Sequence, residues 1–145
     1  MTELRGPGPE RLILVIEDDY ATAHLLTVQL SQRGFRVEVM AEAAGALDAA
    51  CALSPDLITL DINLSPGSGF DVLRELREVP QTAAIPVVFI SVSDQRERAK
   101  EAGADGFIMK PYWPDTLYSV VDRLLPPPAQ PPRLIRPESP FTPQG

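Results

Sequence analysis

A chain of 145 residues, 44% hydrophobic and 23% charged, fits one soluble globular domain that needs neither disulfides nor a structural metal to hold its core. Its net charge of −7 disfavours direct binding to nucleic acid or to an anionic membrane, both of which select a basic patch. No apolar run approaches the roughly 20 residues needed to span a bilayer, and residues 1–10 lack the apolar stretch of a signal peptide, so a cytoplasmic location is expected. The single cysteine, Cys51, cannot pair within the chain and is expected to be a small buried hydrophobe.

Gly6, Pro7, Gly8 and Pro9 make residues 1–10 a flexible leader, and order begins at Arg11. Residues 12–16 are uniformly apolar, the pattern of a strand covered on both faces, and they run directly into Glu17, Asp18 and Asp19. Asp19 can cap a helix over residues 20–33 that directs Ala23, Leu26 and Leu30 to one face and stops at Gly34; His24 on it reads as a surface or packing residue. Residues 35–40 alternate apolar and polar, as a strand nearer the sheet edge does. An alanine-rich helix is expected over 41–53, ended by Ser54 and Pro55. Leu57, Ile58, Thr59 and Leu60 form a central strand with Asp61 at its carboxyl end, followed by a turn-rich loop through Gly69.

A helix over 70–79 places Val72, Leu73 and Leu76 on one face, and Pro80 and Pro86 bracket the next loop. Residues 87–90 are another apolar strand, ending at Ser91, and a short polar helix runs to about Ala102 before Gly103 stops it. The last strand, 106–109, ends in Lys110 and Pro111, and the last helix covers 114–125 with proline in its first turn. Five strands alternating with five helices predict right-handed crossovers and a doubly wound, five-stranded parallel α/β sheet. From Pro126 onward eight of twenty residues are proline, so 126–145 is expected to be a disordered tail, within which residues 128–131 fit a Pro-x-x-Pro form.

Four strand ends thus carry Glu17 with Asp18, Asp61, Ser91 and Lys110, and in a doubly wound sheet those ends share one edge. Clustered carboxylates repel unless protons or a cation compensate. Oxygen donors without His or Cys suit a hard cation, and a few carboxylates completed by water suit Mg2+ better than Ca2+. A lysine and a hydroxyl beside such a cation would receive an anion, most naturally a phosphoryl group.

Five separately placed motifs carry a resemblance: Glu17-Asp18 after Ile16; Asp61-Ile62-Asn63 after Leu60; Pro66-Gly67-Ser68-Gly69; Ser91 after Ile90; and the run from Gly103 through Phe107 to Lys110-Pro111. In order and spacing they resemble the receiver domain of two-component response regulators over about residues 11–125. The resemblance implies a flavodoxin-like fold in which Asp61 is the phosphoacceptor. Glu17, Asp18, Asp61 and the backbone carbonyl of Asn63 would hold Mg2+. Ser91 and Lys110 would contact the phosphoryl oxygens, Ser91 and Phe107 would form the switch, and the Lys110-Pro111 peptide would be cis. The partners implied are a sensor histidine kinase or histidine phosphotransfer protein and a downstream protein target, with the chain a monomer or a phosphorylation-dependent dimer. Such a protein catalyses its own aspartyl phosphorylation and dephosphorylation without being a conventional enzyme. With no second domain after Leu125, output is expected through protein contacts.

Some positions depart from the family's usual pattern. Ser65 takes the common place of the loop proline, Phe107 stands where many members have Tyr, and Val92 follows Ser91 where a small residue is commoner. Ser91 and Lys110 are 110 − 91 = 19 positions apart, which removes roughly one turn from the fourth helix, as in receivers attached to hybrid sensor kinases. Trp113 falls at the cap of the last helix, either as a partner anchor or as a hydrophobic staple over the loop. Two other classes fit less well. A phosphatase of the haloacid dehalogenase type needs a second Asp where Asn63 stands, together with a cap domain. A degenerate receiver acting only through protein contacts would lack one of the acidic residues or the lysine, and all are present.

Overall fold

The computed structural model describes residues 10–126. The leader expected over 1–10 and the tail expected over 126–145, with its Pro-x-x-Pro segment, therefore lie outside the described residues apart from Glu10 and Pro126. Strand and helix alternate from end to end: β1 Leu12–Ile16, α1 Tyr20–Gln32, β2 Arg36–Met40, α2 Ala46–Leu53, β3 Leu57–Leu60, α3 Gly69–Glu78, β4 Val87–Ser91, α4 Arg96–Glu101, β5 Gly106–Met109 and α5 Pro114–Leu124. All strand pairings are parallel, in the order β2-β1-β3-β4-β5. This is the doubly wound, flavodoxin-like arrangement, and its order reverses between β1 and β3.

The uniform apolarity of β1, β3 and β4 follows from that order, since every side chain on these three inner strands is buried. Alternate residues serve opposite faces. Leu14, Ile16, Ile58, Leu60, Val87 and Phe89 pack with α2, α3 and α4, whereas Ile13, Val15, Leu57, Val88, Ile90 and Ile108 pack with α1 and α5. β2 is the edge strand that its alternation predicts, with Arg36 and Val39 exposed. Among the described residues, no helix is long and apolar enough to cross a membrane.

Two expectations need correction. The second helix starts at Ala46 rather than at residue 41, because Gly45 sits at φ 85, a left-handed conformation that a right-handed helix cannot contain. Helix propensity in Ala41, Ala43 and Ala44 yields to that turn. Cys51 is half-buried rather than buried, since α2 covers the sheet with Ala46 and Ala50 instead.

The fourth helix is six residues long and buries only Ala99. Its arginines hold it in place from the surface: Arg98 lies 4.0 Å from the centre of the Phe70 ring, and Arg96 lies 5.6 Å from that of Phe107. Arg77 ties the amino end of β4 to its neighbours through Ile85 O at 2.7 Å, Gly103 O at 3.1 Å and the Asp105 carboxylate at 2.8 Å. That carboxylate also accepts the Val87 N–H at 2.9 Å, so β4 is fixed from its amino end. Its carboxyl end is left to form the site.

Candidate functional site

The carboxyl ends of β1, β3, β4 and β5 bring the expected site residues to the same edge. After β1, the Glu17 N–H continues the ladder to Met40 O at 3.0 Å, and the Glu17 side chain turns inward to only 3% exposure. Asp18, next along, is exposed. After β3, the Asp61 N–H donates to Ile16 O at 3.0 Å, and its carboxylate is 7% exposed. Carboxylate oxygens of Glu17, Asp18 and Asp61 lie within 4.8 Å of one another. Asp19 belongs to the helix instead: its carboxylate accepts the Thr22 N–H at 2.9 Å and the Thr22 hydroxyl at 2.6 Å. Those bonds hold the Asp19 carboxyl below the usual range.

Lys110 follows β5, where its N–H donates to Ser91 O at 2.8 Å, and its peptide to Pro111 is cis. The ammonium Nζ donates to Glu17 Oε1 at 3.0 Å and stands 3.6 Å from Asp61 Oδ2. The other Glu17 oxygen accepts the Asp19 N–H at 3.1 Å. Burial lifts the Glu17 carboxyl above the ordinary range, while the Lys110 and Asp19 bonds pull it back. Asp61 Oδ1 accepts the Asn63 N–H at 3.2 Å, so both Asp61 oxygens face positive partners.

Among the described residues, the remaining site candidates make no side-chain hydrogen bond to this group. Ser91 is fully buried, and its hydroxyl accepts the Ser93 N–H at 3.3 Å; among the described residues it makes no hydrogen bond to Asp61 or to the lysine side chain. Phe107 is half-buried, directly opposite Phe89 in register, with Arg96 over its ring. Val92, the residue after Ser91, is 64% exposed. Trp113 is 79% exposed and makes no side-chain cap bond, which overturns the staple reading, since a staple would be covered by the loop it closes.

Spacing alone gave no role to Gly69, yet it determines how closely α3 approaches the site. A Cβ there would collide with the Asp61 carbonyl oxygen and lie 2.9 Å from Ile62 Cα. The signal that could have found it is a second glycine after Ser68, the residue whose side chain caps α3 by accepting the Phe70 N–H at 3.0 Å.

The model for the response regulator receiver domain matches residues 13–122. The chain belongs to that family. This receiver is 37% identical over 112 residues to the DNA-binding response regulator MtrA of Mycolicibacterium paratuberculosis, covering 75% of this chain and 48% of MtrA. It thus spans about half the length of that relative. Among solved structures it resembles the chemotaxis protein CheY4 of Vibrio cholerae at 25% identity, with a TM-score of 0.75 over 80% of this chain and 99% of CheY4. It shares the fold of the receiver domain of sensor histidine kinase PA1611 from Pseudomonas aeruginosa at 23% identity, with a TM-score of 0.75 over 81% of this chain and 98% of that one. The PA1611 structure has a magnesium ion coordinated in its active site cleft.

Proposed function

We propose that the receiver takes a phosphoryl group from a histidine kinase or histidine phosphotransfer protein onto Asp61, and signals through contacts with a downstream protein. The observation that carries this reading is the grouping of three carboxylates within 4.8 Å, with the Lys110 ammonium 3.6 Å from Asp61. A structural ion pair needs one carboxylate; three around one lysine leave negative charge that must be matched by something else.

The donor set fits Mg2+, being all oxygen and part buried, part open to water. Glu17, Asp18 and Asp61, with the backbone carbonyl of Asn63, would hold the ion. When bound, it supplies the positive charge that lets phosphoryl oxygens approach a carboxylate cluster. The chain's own residues do the rest. An Asp61 carboxylate oxygen attacks phosphorus as the phosphorus–nitrogen bond of phosphohistidine breaks, and the bonding pair leaves with the imidazole nitrogen, which takes up a proton. The Asn63 N–H holds Asp61 Oδ1, which orients the carboxylate for that attack. Lys110 is placed to exchange its bond with Glu17 for one with a phosphoryl oxygen. The Ser91 hydroxyl would exchange its 3.3 Å bond from Ser93 for a shorter charge-assisted one, and Phe107 would fill the space left.

Intact-mass measurement after incubation with phosphoramidate and Mg2+ tests the assignment. The parent should gain one phosphoryl group and Asp61→Asn none; equal labelling of both refutes it. Asp18→Ala should weaken Mg2+ binding and labelling together, because it removes the exposed ligand of the cluster.

A further inference from the structure

Six polar side chains are buried among the described residues: Glu17, Gln29, Thr59, Asp61, Thr82 and Ser91. Three belong to the site, Thr82 bonds Leu76 O at 2.7 Å behind α3, and Thr59 has no partner. Gln29 is different, because it lies on α1 and receives two hydroxyls from the far end of the chain. Tyr112 donates to its side-chain Oε1 at 2.8 Å, and Tyr118 donates to its backbone carbonyl at 3.2 Å. A buried amide that accepts so short a bond fixes the position of its donor.

That donor sits two residues after Lys110. Between Lys110 and the buried Leu117, residues 111 and 113–116 are all exposed, so Tyr112 is the sole inward anchor of this connection. Its ring packs against the core face that contains Leu26, Leu30 and Leu117. Burial pushes its hydroxyl up to about 12, so it remains a donor at neutral pH. Two bridges therefore link the same two stretches of chain: Lys110 to Glu17 at 3.0 Å, and Tyr112 to Gln29 at 2.8 Å.

We propose that Gln29 is a positioning residue for Lys110: by holding the Tyr112 hydroxyl it fixes the β5–α5 connection, and so aims the lysine ammonium at Glu17 and Asp61. This rests on the reading of Lys110 as a phosphoryl contact. Gln29 touches neither a phosphoryl group nor the carboxylates, and acts only through the loop. Misplacing a charged group by a fraction of an ångström weakens its stabilisation of the transition state while leaving the carboxylates on β1 and β3 where they are.

Three variants separate aim from mere stability: Gln29→Leu, Tyr112→Phe and the two combined. Each single change leaves a buried polar partner unbonded and should lower the melting temperature; the double change makes both groups apolar and should restore most of it. Phosphorylation by phosphoramidate at saturating Mg2+ should fall about fivefold or more in the single variants and stay low in the double variant. A rate that recovers with stability in the double variant would overturn the proposal, as would parental rates in the single variants. A loss seen only below saturating Mg2+ would also overturn it, because it would put the effect on the carboxylates. A parent that takes no label, or an Asp61→Asn protein that takes it equally, would defeat the Asp61 reading and this inference with it. A labelled parent beside a fully active double variant defeats only this one.

Discussion

Gly69→Ala is the substitution that most directly couples packing to the proposed chemistry. The added methyl would collide with the Asp61 carbonyl oxygen and stand 2.9 Å from Ile62 Cα and 3.0 Å from Asp61 C. These atoms are main chain, so no rotamer change relieves them. The segment cannot retreat freely either, since the Asp61 N–H is bonded to Ile16 O at 3.0 Å and the Gly69 N–H to Ile62 O at 2.8 Å. Overpacking of this kind costs about 1–3 kcal/mol, and breaking one of those bonds adds about 1 kcal/mol. Against this, alanine favours the helix by at most about 1 kcal/mol over glycine. The net loss is about 1–3 kcal/mol, which for a domain of this size lowers the melting temperature by roughly 3–15 °C. Because the displaced atoms carry Asp61 itself, phosphoramidate labelling below the melting transition should fall further than the folded fraction does. Differential scanning calorimetry and intact-mass labelling measure the two effects. An alanine variant that melts with the parent and labels at the parental rate would refute the close approach of α3 to Asp61.

Thr59→Val should stabilise the protein by about 1 kcal/mol in urea denaturation, because it replaces a hydroxyl that is buried without a partner between Val15 and Val88 by a methyl of the same shape. A loss of stability would mean that the hydroxyl is bonded in solution. Val92→Ala should shorten the half-life of the phosphorylated state, since the branched, exposed side chain that follows Ser91 would hinder the in-line approach of water. An unchanged or longer half-life would show that access is not limited there. Trp113→Ser should leave the melting temperature unchanged or raise it, since a side chain that is 79% exposed gives up little burial and serine caps a helix better. If Trp113 anchors a partner, the same variant loses affinity for its kinase or phosphotransfer protein in calorimetric titration; undiminished binding removes that role.

What the sequence made legible was what short-range physics decides. Uniform apolarity marked β1, β3 and β4 as inner strands, alternation marked β2 as an edge, and Asp19, Gly34 and Pro114 marked helix ends, because each of these depends on a few neighbouring residues. The error at α2 arose where one glycine outweighs several alanines: propensity sums over a window, but a single φ of 85 ends a helix outright. Strand ends could be placed at one edge, and the structure groups the carboxylates of Glu17, Asp18 and Asp61 within 4.8 Å, with Lys110 against Glu17 and Asp61. The roles of Gly69 and Gln29 were hidden for a different reason. Each depends on a partner from another element, the Asp61 backbone for one and the Tyr112 hydroxyl for the other, and no local pattern announces such a partner. The choice between anchor and staple for Trp113 could not be made from the sequence either, because burial is a property of the assembled surface.

Formal charge explains why the switch should begin at Ser91 on the proposed reading. Three carboxylates and one ammonium sum to −3 + 1 = −2, which a divalent cation would bring to zero. Phosphorylation replaces one carboxylate charge by a phosphoryl charge of about −1.5 to −2 and adds three acceptor oxygens, so donors become the scarce resource. Lys110 can shift to them from Glu17, whose burial already favours its neutral form. One ammonium cannot serve three oxygens together with two carboxylates. The Ser91 hydroxyl is the donor with least to lose, since among the described residues its own proton has no acceptor and it receives only a 3.3 Å bond from Ser93. Its movement would open space on the α4 side of the sheet, where Phe107 stands beside Phe89 with Arg96 at 5.6 Å. Inward rotation of Phe107 would then break the contact that helps hold a six-residue helix with one buried residue, and α4 is the element least able to resist. On that reading, phosphorylation at one edge of the sheet would be read out as the position of the helix with the smallest core.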